Sequence, residues 1–203
     1  MSVDLASNAL ITVEEFLRYK KIPDTDTVFD QDRCRFLING VSQEIANYCG
    51  GRIFISPSAQ ISEIFDGNDS KERFVRHRRI ADNDTPVIYY WSGTDWTEAT
   101  SSVYPRAIGR TRARIYFTHG DVFGSGSDNW KIAYKPGWTQ SALPDDLKFV
   151  CLAIVDRQIK LAEDKEGLDS QSFGDSTTSY NLAGGIPGRY KPILDAYRII
   201  PIG

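Results

Sequence analysis

Two histidines are the first candidates for acid–base or metal chemistry: His77, inside RFVRHRRI, and His119, in a stretch that reads as a turn. An imidazole does such work in company, with further Cys, Asp or Glu at ligand spacing or a carboxylate to orient it. Neither histidine has that company along the chain. Asp145-Asp146 resembles a pair of acids, but adjacent helical residues point different ways and both suit the positive end of a helix dipole. Gly184-Gly185-Ile186-Pro187-Gly188 is glycine-rich, yet it runs into Pro and Arg rather than the start of a long helix, which a phosphate cradle needs. The G-x-S-x-G, H-E-x-x-H and G-x-x-x-x-G-K-[ST] patterns do not occur, so the usual nucleophile, zinc and nucleotide signatures are absent. No cofactor and no metal is expected, and no enzymatic activity.

The strongest electrostatic signal is a basic set, Arg73, Arg76, Arg78, Arg79, Arg106, Arg110, Arg112 and Arg114. Arginine forks suit phosphates and carboxylates equally. Residues 71–135 hold 11 Lys/Arg against 7 Asp/Glu, net +4, which leaves −7 for the ends out of a total of −3. A basic middle and acidic ends let identical copies meet through opposite charges, and a partner's carboxylates are favoured over DNA as the target. Trp91, Trp96, Trp130 and Trp138 with Tyr89, Tyr90 and Tyr134 could form a sugar platform, although aromatics at strand spacing more often fill the core of a small β lobe.

The elements that must position these residues follow from periodicity. A chain of 203 residues, 41% hydrophobic and 25% charged, builds an ordinary globular core. Cys34, Cys49 and Cys151 are odd in number and lack CxxC spacing, so buried thiols in a reducing compartment are expected. The start MSVDLASNALITVEEF lacks a basic segment followed by an apolar run, so no signal peptide is expected. The apolar run Phe149 to Val155 is too short to cross a bilayer, and no membrane partner is expected.

ITVEEF opens a helix, with Thr12 as N-cap, Glu15 closing a capping box and Ile11 against Phe16 as a staple; Pro23 ends it. A second helix from about Asp30 to Tyr48 puts Cys34, Leu37, Ile38, Val41, Ile45 and Tyr48 on one stripe, and Gly50-Gly51 stops it. Six or seven strands are expected between Arg52 and Thr139. Two alternate cleanly: Arg110, Arg112 and Arg114 against Ala113, Ile115 and Phe117, and Trp130, Ile132 and Tyr134 against Lys131 and Lys135, giving a half-buried sheet with a basic outer face. Pro144, in the first helical position, opens a late helix. Leu147, Val150, Cys151, Ile154, Val155, Gln158, Ile159 and Ala162 form its apolar face, and it stops near Glu166-Gly167. Ser170 to Gly188 reads as a long polar loop. A short helix, about Pro192 to Arg198, and an apolar end needing a docking site complete the chain. The expected class is α+β: a small α-helical bundle of the two N-terminal helices and the late helix, with an inserted antiparallel β lobe and an extended C-terminal tail. The parts run 1–55, 56–140 and 141–203.

The order of ITVEEFLRYKKIP, IANYCGGRIFI, YKPGWT with LPDDLKFVCLAIVDRQIKLAED, SQSFGDSTTSYN and ILDAYR resembles the head-tail connector (adaptor) proteins of tailed bacteriophages, the gp6-like group. The likeness covers both helical ends, about half the chain, and Ser56 to Ala133 departs from it. It implies a structural protein of the virion neck, made in the host bacterial cytoplasm. Copies would form a ring, commonly of twelve, between a portal protein and a stopper or tail-completion protein, with DNA passing through the centre without sequence-specific binding. It further implies that Tyr180, Tyr190, Ile193, Leu194, Tyr197, Ile199 and Ile200 reach the portal. Arg76, Arg78, Arg110, Arg112, Arg114 and Lys131 are then candidates for the subunit interface or the channel wall. The alternatives are a stopper or tail-completion protein of the same neck, and a glycan-binding β module.

Overall fold

The structure, a computed structural model, describes residues 3–23, 28–77, 79–82, 84–99, 103–108, 112–117, 120–165, 170–173, 176–179 and 185–199. The chain divides into two compact units: Met1–Ile45 with Pro144–Leu194, and Ala46–Leu143 with Asp195–Gly203.

The first unit is helical. α1, Val13–Lys20, starts as its sequence dictates: the Thr12 hydroxyl accepts the Glu15 N–H, and the Glu15 carboxylate accepts the Thr12 N–H at 2.9 Å. Ile11 and Phe16, the expected staple, are both fully buried. Removing the cap, Thr12→Ala, should cost about 1 kcal/mol in denaturant unfolding, the usual worth of such a cap; no measurable change would show that α1 is held by packing alone. The helix ends before Pro23, at Lys21, whose left-handed backbone (φ 58°) sends its N–H back to Arg18 while the Ile22 N–H reaches the Leu17 carbonyl. Proline disfavours helical geometry in the residue before it, so the turn is made upstream.

α2, Gln31–Tyr48, is capped by Asp30, whose carboxylate accepts the Arg33 N–H. Cys34, Ile38, Val41 and Ile45 are buried along it, with Leu37 half-buried beside them. α3, Asp145–Lys165, begins one residue later than expected: the Pro144 carbonyl already receives the Leu147 and Lys148 N–H groups, so Pro144 stands as the cap. Leu147, Val150, Cys151, Ile154, Val155 and Ile159 form its buried face.

The three helices are joined around one seam. The Ser42 hydroxyl on α2 accepts the Leu10 N–H and lies 3.8 Å from Cys151 Sγ on α3. Lys20 and Glu15 pair with Asp156 and Lys148 at 2.6 and 2.8 Å. Beyond α3, the expected loop contains a two-stranded antiparallel hairpin, numbered here as the last pair of strands, Ser170–Phe173 and Ser176–Ser179. A 3-10 turn at Gly188–Tyr190 leads into α4, Lys191–Asp195, which stops short of the expected Arg198.

Among the described residues the second unit holds seven strands: β1 Ile61–Gly67, β2 Glu72–Phe74, β3 Val87–Trp91, β4 Trp96–Glu98, β5 Val103–Ile108, β6 Arg112–Phe117 and β7 Gly126–Tyr134. They form two antiparallel sheets, ordered β1-β7-β3-β4 and β2-β6-β5. Ile88, Ile132 and Tyr134 from the first share a core with Ile115 and Phe117 from the second and with Val75, Ile80 and Phe123. The alternation expected in β6 and β7 is present, with Ile115, Phe117, Ile132 and Tyr134 buried. The single basic sheet is not: Arg114 and Lys131 lie in different sheets, because β7 pairs with β1 and β3 while β6 pairs with β2 and β5. The hairpin after α3 makes β8 and β9.

Candidate functional site

Five of the tail residues expected to meet a portal, Tyr190, Ile193, Leu194, Tyr197 and Ile199, are among the described residues. Tyr190 and Leu194, in the helical unit, are 7% and 0% exposed, and Tyr190 meets the Phe149 ring edge-on at 6.4 Å. Tyr197, in the β unit, is fully buried, whereas Ile193 and Ile199 are half-buried. Tyr180 and Ile200 lie outside the described residues. Deleting Tyr190 to Gly203 would therefore remove three buried side chains, and lost binding in such a variant could not be separated from lost fold.

The tail is held by a residue not singled out in the sequence. Arg52 follows the left-handed Gly50-Gly51 turn that ends α2. Its side chain is 2% exposed and donates to the Tyr197 carbonyl at 2.8 Å. The guanidinium lies 5.5, 5.1 and 5.8 Å from the rings of Phe54, Trp138 and Tyr197. The rings also face one another, Phe54 stacking on Trp138 at 6.2 Å and Tyr197 meeting both at about 70°. A planar, weakly hydrated cation among three electron-rich faces is a favourable way to bury arginine. Around this cage the Tyr48 hydroxyl donates to Asp195 at 2.8 Å, and the Ile199 N–H donates to the Cys49 carbonyl at 3.0 Å. Backbone, hydroxyl and guanidinium thus fix residues 195–199 onto the end of α2 and the segment after it. The only sequence signal was an arginine beside alternating apolar residues in GGRIFI.

The basic residues are largely engaged. Arg114 pairs with Glu72 at 2.6 Å across β2 and β6, and Lys131 sits over Tyr89 and Trp96 at 4.4 and 4.9 Å. Arg79 pairs with Asp82 and lies over Trp138, and Arg73 lies over Phe65. Arg76 is exposed, its backbone N–H donating to Glu63. Arg78, Arg110 and the side chain of Arg112 lie outside the described residues. An anion arriving at Arg114 or Lys131 must compete with a carboxylate or with ring faces.

The chemical candidates are likewise placed. His77 donates its backbone N–H to the Tyr134 hydroxyl, which in turn donates to the Glu63 carboxylate. Burial holds the His77 imidazole below its usual range, and burial followed by the nearby Glu63 charge pushes the Tyr134 hydroxyl upward. The site therefore favours a neutral imidazole beside an unionised phenol. His119 lies outside the described residues. Burial raises the Cys34 thiol to about 11 and those of Cys49 and Cys151 to about 12, which leaves almost no thiolate to react. Among the described residues there is no metal-holding group of three or more His, Cys, Asp or Glu, and no helix long and apolar enough to cross a membrane.

The tryptophans do not gather into one platform. Trp130 packs on Phe117 and Phe123, Trp138 belongs to the Arg52 cage, and Trp91 meets Trp96 edge-on at 5.4 Å. Exposed apolar side chains that the sequence did not single out include Val28 at 91% and Phe36 at 68% exposed in the helical unit, and Ile64 at 53% in the β unit.

The family model described as head completion protein matches residues 9–200. No curated protein matches the sequence. Solved structures that share the fold include chains of three particle structures. The neck of an empty gene transfer agent (GTA) particle computed with C6 symmetry aligns at TM-score 0.60 and 14% identity. The virion of a native GTA particle gives 0.56 and 14%, and the neck of a native particle computed with C12 symmetry gives 0.53 and 13%. Each alignment covers 98% of this chain and 94% of the matched one.

Proposed function

Since the chain belongs to the head completion protein family, we propose that it is a non-enzymatic structural part of the neck of a tailed-phage-like virion, forming a ring, twelve copies in the simplest case, through which DNA passes. A portal protein lies on one side of that ring and a stopper or tail-completion protein on the other. The observation that carries this reading is the family match over residues 9–200, which spans the helical and β units together. The fold likeness to chains in particle necks over 98% of this chain supports it.

A ring interface is heterologous, so each copy needs two different complementary patches. In this reading, exposed apolar side chains on each unit, Phe36 on one and Ile64 on the other, together with the basic set, are the candidates for those patches. In this proposal Arg76, Arg78, Arg110, Arg112, Arg114 and Lys131 serve the subunit interface more than the channel, because tight phosphate contacts would hold DNA rather than release it. The tail reaches the portal with Tyr180, Ile193, Ile199 and Ile200, while Tyr190, Leu194 and Tyr197 anchor it in its own subunit.

The test is the triple replacement of Arg110, Arg112 and Arg114 by Ser. Ring assembly by sedimentation velocity and electron microscopy, with and without portal, should weaken at least about tenfold, the effect expected when rim charges of both partners lose their complement. DNA retention in gels should change little, and the subunit itself should lose no more than about 1 kcal/mol, since the Arg114–Glu72 pair is partly exposed. Intact rings with lost DNA retention would assign these arginines to the channel wall instead.

A further inference from the structure

Among the described residues the hairpin of β8 and β9 is a sheet of two strands, in register Ser170↔Ser179, Gln171↔Thr178, Ser172↔Thr177 and Phe173↔Ser176. A two-stranded ribbon is marginal on its own. Each of its outer edges carries backbone N–H and C=O groups that no strand in the described chain receives, and such edges are templates for pairing with another chain. We propose that these edges are occupied by the hairpins of neighbouring copies, β9 of one subunit lying antiparallel beside β8 of the next. The ring is then lined by a continuous β-barrel. This deepens the ring reading above and rests on it.

Closure and size favour a second copy over any other occupant. The order β8-β9-β8-β9 alternates direction at every step, so every pair is antiparallel, and a closed ring leaves no edge at all. Twelve hairpins make a 24-stranded barrel. With strands about 4.8 Å apart and tilted by about 40°, its backbone diameter is about 48 Å, whereas six hairpins would give only about 24 Å. The larger barrel admits a duplex with side chains lining the wall; the smaller leaves no room for both.

The composition suits a surface over which DNA slides. From 166 to 188 the chain has no Lys or Arg, while Glu166, Asp169 and Asp175 are acidic. Apart from Phe173, the strands consist of Ser, Thr and Gln. With no cation to release counterions from phosphates, such a lumen does not grip the nucleic acid backbone.

The experiment uses full-length chains whose native thiols stay in place, buried as they are. Single variants Ser170→Cys, Gln171→Cys and Ser172→Cys are each mixed with Thr177→Cys, Thr178→Cys or Ser179→Cys, assembled into rings alone or on portal, and oxidised. The proposal expects disulfide-linked pairs between unlike variants in at least one register. It also expects amides of 170–173 and 176–179 in wild-type rings to exchange at least about tenfold slower than unpaired peptide. Rings that show neither cross-link nor protection overturn the barrel and leave the ring reading standing. Sedimentation that finds no ring at any concentration, with or without portal, removes the ring reading and the barrel together.

Discussion

Replacing Arg52 by Ala is expected to lower the free energy of unfolding by about 3–5 kcal/mol, the range for emptying a large, fully buried side-chain site. Three losses combine. The space between Phe54, Trp138 and Tyr197 is left without a filler, the cation contacts at 5.1 to 5.8 Å disappear, and the Tyr197 carbonyl loses the guanidinium N–H at 2.8 Å. Taken separately, a desolvated cation–π contact is worth about 2 kcal/mol and an orphaned buried acceptor about 1–3 kcal/mol. These contributions share the same atoms and do not add, and removing a buried charge also relieves its desolvation cost. Two companions separate the causes. Arg52→Lys keeps the charge but loses the planar stacking and should cost about 1–2 kcal/mol. Arg52→Met fills the volume without charge; if it is as stable as wild type, packing rather than the cation holds the cage. Denaturant unfolding reads all three, and amide exchange at Ile199, whose N–H bonds the Cys49 carbonyl, reports whether the tail comes loose before the rest. A loss under about 1 kcal/mol in Arg52→Ala would mean that Arg52 does not organise this end of the unit.

How far an element is legible in the sequence depends on the range of the interactions that fix it. Thr12 with Glu15, Asp30 with Arg33, and the Gly50-Gly51 stop act within a few residues, and the helix ends follow directly from them. Alternation in β6 and β7 was equally legible, because a half-buried strand writes its two faces into successive residues. Which strand pairs with which is not written that way: Ile61 meets Tyr134 in β1 and β7, and no local pattern placed Arg114 and Lys131 in separate sheets. The β8–β9 hairpin was missed because Ser, Thr and Gln carry no hydrophobic alternation, so its strands resemble loop.

The tail shows the same limit from another side. Tyr190, Leu194 and Tyr197 needed burial, and composition revealed the need but not the partner. The partner proved to be this same chain: Tyr197 finds Arg52, 145 residues away. An apolar terminus is therefore consistent with an outside partner without requiring one. Of the residues proposed to meet a portal, the half-buried Ile193 and Ile199 are the described members with surface left to offer.

Gly67→Ala is expected to cost about 3 kcal/mol or more, the upper end of overpacking penalties, for a reason of contact rather than backbone freedom. Gly67 closes β1 opposite Gly126, where the register of β1 and β7 shifts. A Cβ there would stand 1.8 Å from the Gly124 carbonyl oxygen and 2.8 Å from Trp130 Nε1. That oxygen already accepts the Asn129 side-chain amide at 2.9 Å and Trp130 Nε1 at 3.0 Å, while the Gly67 N–H donates to Asn129 Oδ1 at 2.8 Å. A methyl group cannot enter without moving backbone and breaking both bonds to Gly124. Trp130, which packs edge-on against Phe123 at 5.2 Å, must then shift within the β-unit core. Asp66 adds to the rigidity by accepting the Asp128 N–H at 2.7 Å, so the two segments cannot drift apart cheaply. Gly124→Ala is the matched control. Its Cβ would meet nothing within 4 Å, so it should leave stability unchanged or raise it by up to about 1 kcal/mol, since Ala restricts the unfolded chain more than Gly does. If denaturant unfolding finds the two variants equally mild, segments 66–69 and 124–129 are free to separate, and the junction between β1 and β7 is not what fixes this end of the sheet.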